Sequence, residues 1–180
     1  MKTGILFDLD GTLLDTLEDL LDATNYALAA YGHPPRTLRQ LRRFVGNGAE
    51  NQIRLSLPED HKEDLPKVLA VYKPYYTAHC QIKTKPYGGI LPVLKALGET
   101  YPIAIVSNKP DSAVKALCAD YFPGIYALGE TAGCPRKDST ICHCSCQSLP
   151  WLHTSLIFIL LPSILRKWEK TRSRLRRPWI

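Results

Sequence analysis

Two carboxylates, Asp8 and Asp10, stand two residues apart where the apolar run Gly4 to Leu9 enters the turn Asp8-Leu9-Asp10-Gly11-Thr12. On an extended chain, residues two apart project to the same side, so both acids leave the end of a strand facing the loops. Their mutual repulsion requires a cation. A hard, all-oxygen pair of this kind suits Mg²⁺, and it leaves one carboxylate free as a nucleophile while the other moves protons. Taken alone, an Asp-x-Asp is usually a polar turn after a strand. Here Gly11 and Thr12 follow, and a second apolar run, Ile103 to Val106, ends in Ser107-Asn108.

Positioning these groups needs a sheet. Gly4 to Leu9 reads as a buried strand. Thr16 with Asp19 three residues on resembles a capping box, and Leu17, Leu20, Leu21, Leu28 and Tyr31 keep helical spacing until Gly32. From Thr37 to His79 the chain is polar and helical, broken at Gly46-Asn47-Gly48 and Pro58, which predicts a small all-helical insert. Pro86-Tyr87-Gly88-Gly89 then reopens an α/β rhythm, with Ile90, Leu94 and Leu97 on one helical face. A second strand is expected over Ile103 to Ser107 and a third over Ile125 to Leu128. Between them runs a helix capped by Asp111 or Ser112 and buried through Val114, Leu117, Cys118 and Tyr121. Three strands separated by helices imply a parallel sheet with right-handed crossovers and ligands at its carboxyl edge.

The 180 residues, 45% hydrophobic with a net charge of +6, suit one domain with a small insert and exclude a barrel of eight strand-helix units. Composition breaks near residue 137. Five of the six net charges lie beyond Lys137, all 11 Gly and all 9 Tyr lie before Asp138, and all 3 Trp lie after it. Cys80, Cys118 and Cys134 are scattered, as in reduced cytoplasmic proteins, and the apolar stretch Ile5-Leu6-Phe7 is too short for a signal peptide. The run from Leu149 to Leu165 is interrupted by Pro150, His153 and Pro162 and falls short of the roughly 20 residues of a spanning helix. A cytoplasmic location without membrane contact is therefore expected. Cys142, Cys144 and Cys146 lack the Cys-x-x-Cys spacing of zinc sites, and Arg166 to Arg177 reads as a solvated basic end rather than a specific nucleic-acid site.

The string Phe7-Asp8-Leu9-Asp10-Gly11-Thr12-Leu13 closely resembles the nucleophile motif of haloacid dehalogenase-like phosphohydrolases. Val106-Ser107-Asn108-Lys109 is similar to that family's second motif, and Pro135-Arg136-Lys137 to the approach to its third-motif lysine. Within the family, Phe44-Val45-Gly46-Asn47-Gly48, Pro86-Tyr87-Gly88-Gly89-Ile90 and Ser107-Asn108-Lys109-Pro110 resemble phosphoglycolate phosphatases. The resemblance covers about residues 1 to 137. It implies an α/β fold with a Rossmann-like parallel sheet core, residues 1–15 and 82–137, and a helical cap, residues 16–81, inserted after the first strand. It further implies a phosphatase of a small phosphorylated metabolite, with Asp8 as nucleophile and Asp10 as acid and base. Asp8 and Asp10 would hold Mg²⁺, Thr12, Ser107, Asn108 and Lys137 would bind phosphate, and Gly46, Asn47 and Gly48 would form the cap loop that meets the substrate.

Residues 138–180 depart from the pattern. The family continues to a fourth strand ending in a Gly-Asp motif that completes the Mg²⁺ site, whereas no Gly follows Gly133 and only Asp138 and Glu169 are acidic. The change resembles a shifted reading frame or a truncation. It predicts an incomplete core, an open sheet edge beside the first strand, a poorly ordered tail and impaired catalysis. Leu156 to Leu160 has the composition of a strand that could cover that edge. Two further functions stay open: a β-phosphoglucomutase-like sugar-phosphate mutase, which shares both acids, and a non-catalytic remnant. Nothing in the sequence indicates an oligomeric state.

Overall fold

The computed structural model describes residues 4–130 and 156–159. In chain order the elements are β1 (Gly4–Phe7), β2 (Leu14–Asp15), α1 (Leu17–Ala29), α2 (Leu38–Leu41), α3 (Gly48–Ser56), a 3-10 turn over Glu59–Asp64, α4 (Leu65–His79), β3 (Lys85–Pro86), α5 (Ile90–Gly98), β4 (Ile103–Pro110), α6 (Asp111–Tyr121), β5 (Tyr126–Glu130) and β6 (Leu156–Ile159). The main sheet runs β5-β4-β1-β6, and all its pairings are parallel. All four residues of β1 are buried, as an uninterrupted apolar strand in a parallel sheet must be. This is the α/β class expected from the alternation of apolar strands and helices.

The edge beside β1 is not open. Leu156–Ile159 pairs with it in register, Gly4 with Leu156 through Phe7 with Ile159, so the expectation of a structureless tail fails for this segment. An unpaired strand edge presents a row of N–H and C=O groups, and an apolar, β-rich run satisfies them with a regular ladder. The strand ends also shift: β1 stops at Phe7, β4 continues to Pro110, and β5 begins at Tyr126.

The helices between β2 and β3 pack on one another, α1 against α4 and α4 against α3. Val68, Tyr72 and Tyr76, four residues apart along α4, form its buried stripe. They share one apolar cluster with Leu20, Leu28 and Ile53 of this layer and with Ile5, Phe7 and Ile105 of the sheet. Helix α1 ends earlier than its apolar spacing suggests. Gly32 adopts a left-handed φ of 70°, and the His33 N–H reaches back to the Leu28 carbonyl at 3.0 Å, a turn that expels Tyr31 from the stripe.

Both connectors to this helical layer run side by side, because β2 and β3 pair antiparallel, Leu14 with Pro86 and Asp15 with Lys85. Asp19 secures them. Its buried carboxylate accepts the Lys83 N–H at 2.9 and 3.0 Å and the Thr84 N–H at 2.8 Å. The expected capping box of Thr16 and Asp19 is therefore absent: Thr16 makes no side-chain cap, and Asp19 spends its oxygens on a segment 64 residues away. Likewise α6 is not capped by Asp111 or Ser112. Pro110 is the N-cap, and Asp111 accepts the Gly129 N–H at 3.0 Å instead. Among the described residues no helix is long and apolar enough to cross a membrane.

Candidate active site

The turn after β1 is fixed from within. The buried Leu9 carbonyl accepts the N–H groups of Thr12, Leu13 and Leu14 at 3.3, 3.0 and 3.1 Å, and Gly11 takes the φ of 73° that the reversal demands. Asp8 and Asp10 flank Leu9, and both line one cleft whose opposite wall includes Gly46, Gly48, Gln52, Tyr72 and Tyr76. Its free volume is about 30 Å³, room for one or two waters.

The two acids differ in surroundings. Burial pushes the Asp8 carboxyl up to about 7, the charge of Asp10 adds to the rise, and the Leu9 N–H and the Lys109 ammonium oppose it. Asp10 is anchored through one oxygen, Oδ1, which accepts the Thr16 hydroxyl at 2.6 Å and lies 2.9 Å from Lys109 Nζ. Lys109 is itself buried, hydrogen-bonded to the Tyr76 hydroxyl and 4.4 Å from the centroid of that ring, an arrangement that holds a cation by ring quadrupole as well as by charge. Burial keeps the Tyr76 phenol well above its ordinary range and therefore neutral. The donor set of Asp8 and Asp10 is entirely oxygen. Even with Lys109 present, their repulsion and burial leave Asp8 poorly ionised, so the pair fits a small, hard divalent cation.

The other expected site residues are distributed unevenly. Asn108 reaches the cleft, and its Nδ2 donates to the Gly46 carbonyl at 3.1 Å, joining the end of β4 to the cap loop. Gly46 and Gly48 line the cleft at φ 112° and 79°, whereas Asn47 between them is exposed and does not line it. Thr12 and Ser107 are buried and do not line the cleft, and the Ser107 hydroxyl accepts the Lys109 N–H at 3.3 Å. The register of β4 against β5 shifts between Val106 and Pro110, an irregularity of the kind that re-aims side chains beside sites. It falls on Ser107 to Lys109. Lys137 and the cluster of Cys142, Cys144 and Cys146 lie outside the described residues.

Lys109, Thr16, Tyr76 and Gln52 were not foreseen as site residues. Lys109 had a signal in its place directly after Ser107-Asn108, and Tyr72 with Tyr76 had one in their four-residue spacing. Gln52 had none, since its Nε2 donates to Thr24 Oγ1 at 2.9 Å and to the Tyr72 hydroxyl at 3.3 Å, partners far away in sequence.

The chain is similar to several known proteins. Phosphoglycolate phosphatase 1 of Pseudomonas aeruginosa is 33% identical over 129 residues, which cover 68% of this chain and 47% of that protein. N-acetylmuramic acid 6-phosphate phosphatase of the same organism is 36% identical over 112 residues, covering 59% of this chain and 48% of the relative. The crystal structure of a candidate phosphoglycolate phosphatase from Lactobacillus delbrueckii subsp. bulgaricus superposes with a TM-score of 0.74 at 34% identity, over 88% of this chain and 78% of the other. The chain spans about half the length of the curated relatives it matches. Residues 5–131 match the pattern described as Haloacid dehalogenase-like hydrolase, and with strand-end acids facing a helical layer the chain belongs to that family.

Proposed function

We propose that this chain carries the machinery of a Mg²⁺-dependent phosphatase acting on a small phosphorylated metabolite of the phosphoglycolate kind. The observation that carries the reading is the pairing of Asp8, hard to ionise and with no side-chain partner among the described residues, with Asp10, held in place by Thr16 and Lys109 in the same cleft. A fixed acid beside a freer one is the division of labour that two-step phosphoryl transfer needs.

In the first step an Asp8 oxygen attacks phosphorus, the bond from phosphorus to the leaving oxygen breaks, and Asp10 gives that oxygen a proton. In the second, Asp10 takes a proton from water as the water attacks phosphorus, and the bond to Asp8 breaks. Proton transfers of this kind contribute typically ~10²–10⁴ in rate. Mg²⁺ held by Asp8 and Asp10 would supply charge neutralisation for phosphate and keep Asp8 ionised. Lys109 offsets charge from the Asp10 side, and Asn108 ties the cap loop over the cleft. Residues 138–180 contain no counterpart of the Gly-Asp motif that the family resemblance requires, so weak Mg²⁺ binding and slow turnover belong to this reading.

The test is phosphate release from phosphoglycolate, N-acetylmuramic acid 6-phosphate and β-glucose 1-phosphate with and without Mg²⁺. Slow release that rises with Mg²⁺ and disappears in Asp8→Asn supports the proposal. Isomerisation of the sugar phosphate, release that survives Asp8→Asn, or no release from folded protein would overturn it.

A further inference from the structure

The helical layer holds a second group of titratable side chains that the cleft does not use. His33 follows Gly32 at the end of α1, His61 and Asp64 belong to the 3-10 turn before α4, and one donor atom from each lies within 4.8 Å of the others. The His33 side chain is only 6% exposed, and among the described residues its Nε2 has no hydrogen-bond partner although Asp64 Oδ2 is 3.3 Å away. Asp64 is oriented by Lys67, whose Nζ binds the other oxygen, Oδ1, at 2.9 Å, so that Oδ2 is left facing His33. His61 interrupts the turn with φ −131° and ψ 28°, and its ring, 5.2 Å from that of His33, is half exposed.

A plain ion pair between His33 and Asp64 accounts for only part of this. At 3.3 Å the pair attracts but misses hydrogen-bond geometry, and it does not include the second imidazole, whose own carboxylate neighbours Asp60 and Glu63 stand farther off at 3.7 and 3.9 Å. Buried ring nitrogens are ordinarily satisfied, and an orphan aimed at a carboxylate and a second histidine is the signature of a ligand atom. We propose that His33, His61 and Asp64 bind a divalent transition-metal ion of the zinc type, with water completing its coordination, and so clip the end of α1 to the start of α4.

Two imidazoles and a carboxylate form the borderline donor set that zinc-like ions accept and that Mg²⁺ and Ca²⁺ do not prefer. The site is therefore chemically distinct from the all-oxygen pair Asp8 and Asp10. Zinc bonds of about 2.0–2.2 Å in tetrahedral array place ligand atoms roughly 3.3 Å apart. His33 and Asp64 already stand at that separation. The exposed His61, its donor atom within 4.8 Å of the other two, has to move inward by at most about 1.5 Å, within the reach of a side-chain rotation.

Co²⁺ titration of the full chain tests the assignment, because Co²⁺ reports its ligands in its visible spectrum. One equivalent is expected to give the bands of a four- or five-coordinate site without thiolate charge transfer, and Zn²⁺ should displace it. The spectrum should persist in Asp8→Asn and in the triple variant Cys142→Ser, Cys144→Ser, Cys146→Ser. Affinity should fall at least ten-fold in His61→Ala, whose exposed side chain can be removed without harm to the fold, and in Asp64→Asn. The absence of stoichiometric binding, unchanged affinity in His61→Ala, or loss of the site in the triple serine variant would overturn the proposal.

Discussion

Lys109 Nζ lies 2.9 Å from Asp10 Oδ1, with 2% of the lysine side chain and 14% of the aspartate exposed. The contact joins the ends of two neighbouring parallel strands and, among the described residues, places a cation directly beside the acidic pair. Replacing Lys109 by Met keeps the length of the chain and removes only the charge and the donor. Breaking one side of a buried pair typically costs 3–5 kcal/mol, and the partial exposure of Asp10 reduces this to about 2 kcal/mol. Denaturant unfolding at pH 7 checks the loss. Phosphate release by the same variant should peak at a more alkaline pH, since Asp8 loses a cation that favours its ionised form.

The carboxyl of Asp8 titrates near 7 in the folded, metal-free chain against 3.8 for the ordinary group. The folded state thus holds this proton more tightly than the unfolded one, and stability falls as pH rises from about 4 to about 7. At roughly 1.4 kcal/mol per unit the full shift bounds the penalty at about 4 kcal/mol, and partial solvation makes it smaller. Asp8→Asn should therefore abolish phosphate release yet raise stability at pH 7.5 by about 1–3 kcal/mol. Thermal melts across pH 4 to 8 in chelator should show the two proteins converging at the acid end.

Asp19 holds three N–H contacts from Lys83 and Thr84 with two carboxylate oxygens. Asn in its place has one acceptor oxygen and presents an amide donor to a backbone donor. A loss of about 1–3 kcal/mol is expected. Limited proteolysis should show cleavage near residues 82–84 appearing before global unfolding, and unchanged cleavage would mean that the connector is held by something else.

Pairing of Leu156–Ile159 with β1 makes the segment a structural element. A chain ended after Lys137, or the full chain with Ile157→Pro, should lose about 2–5 kcal/mol at roughly 0.5–1.5 kcal/mol per ladder hydrogen bond. The shortened chain should also aggregate more readily, because β1 is then an apolar edge. Equal stability of the full and shortened chains would show that the ladder contributes nothing.

Elements whose information is local could be read without coordinates. The apolar runs at Gly4 and Ile103, the turn at Gly11 and the helical stripe of Val114, Leu117 and Cys118 each depend on residues a few positions apart, and all reappear in the fold. What could not be read depends on partners distant in sequence. Thr16 and Asp19 have the letters of a capping box, but competing acceptors and donors at Asp10, Lys83 and Thr84 claim their side chains. Gly129 carried no signal, yet a Cβ there would come within 2.5 Å of Asp111 Cα. The β-rich run at Leu156 is an exception: its composition marked it as a strand, and the open edge expected beside Gly4 to Leu9 marked its place, which the register confirms.

The side-by-side pairing of β2 and β3 also limits how the helical layer can travel. Two attachments at separate points would resist rotation and permit only flexing, whereas two attachments merged in one ribbon leave a single soft rotational coordinate about the ribbon's axis. A tilt of a few degrees there is magnified by the lever arm of the helices into ångströms at the far rim. That rim carries the bond from Asn108 to the Gly46 carbonyl. Opening at the rim therefore has to break this bond and also part Tyr76 from Lys109 and the apolar cluster that the helices share with the sheet, so the pivot sets the direction of the motion while the core packing resists it.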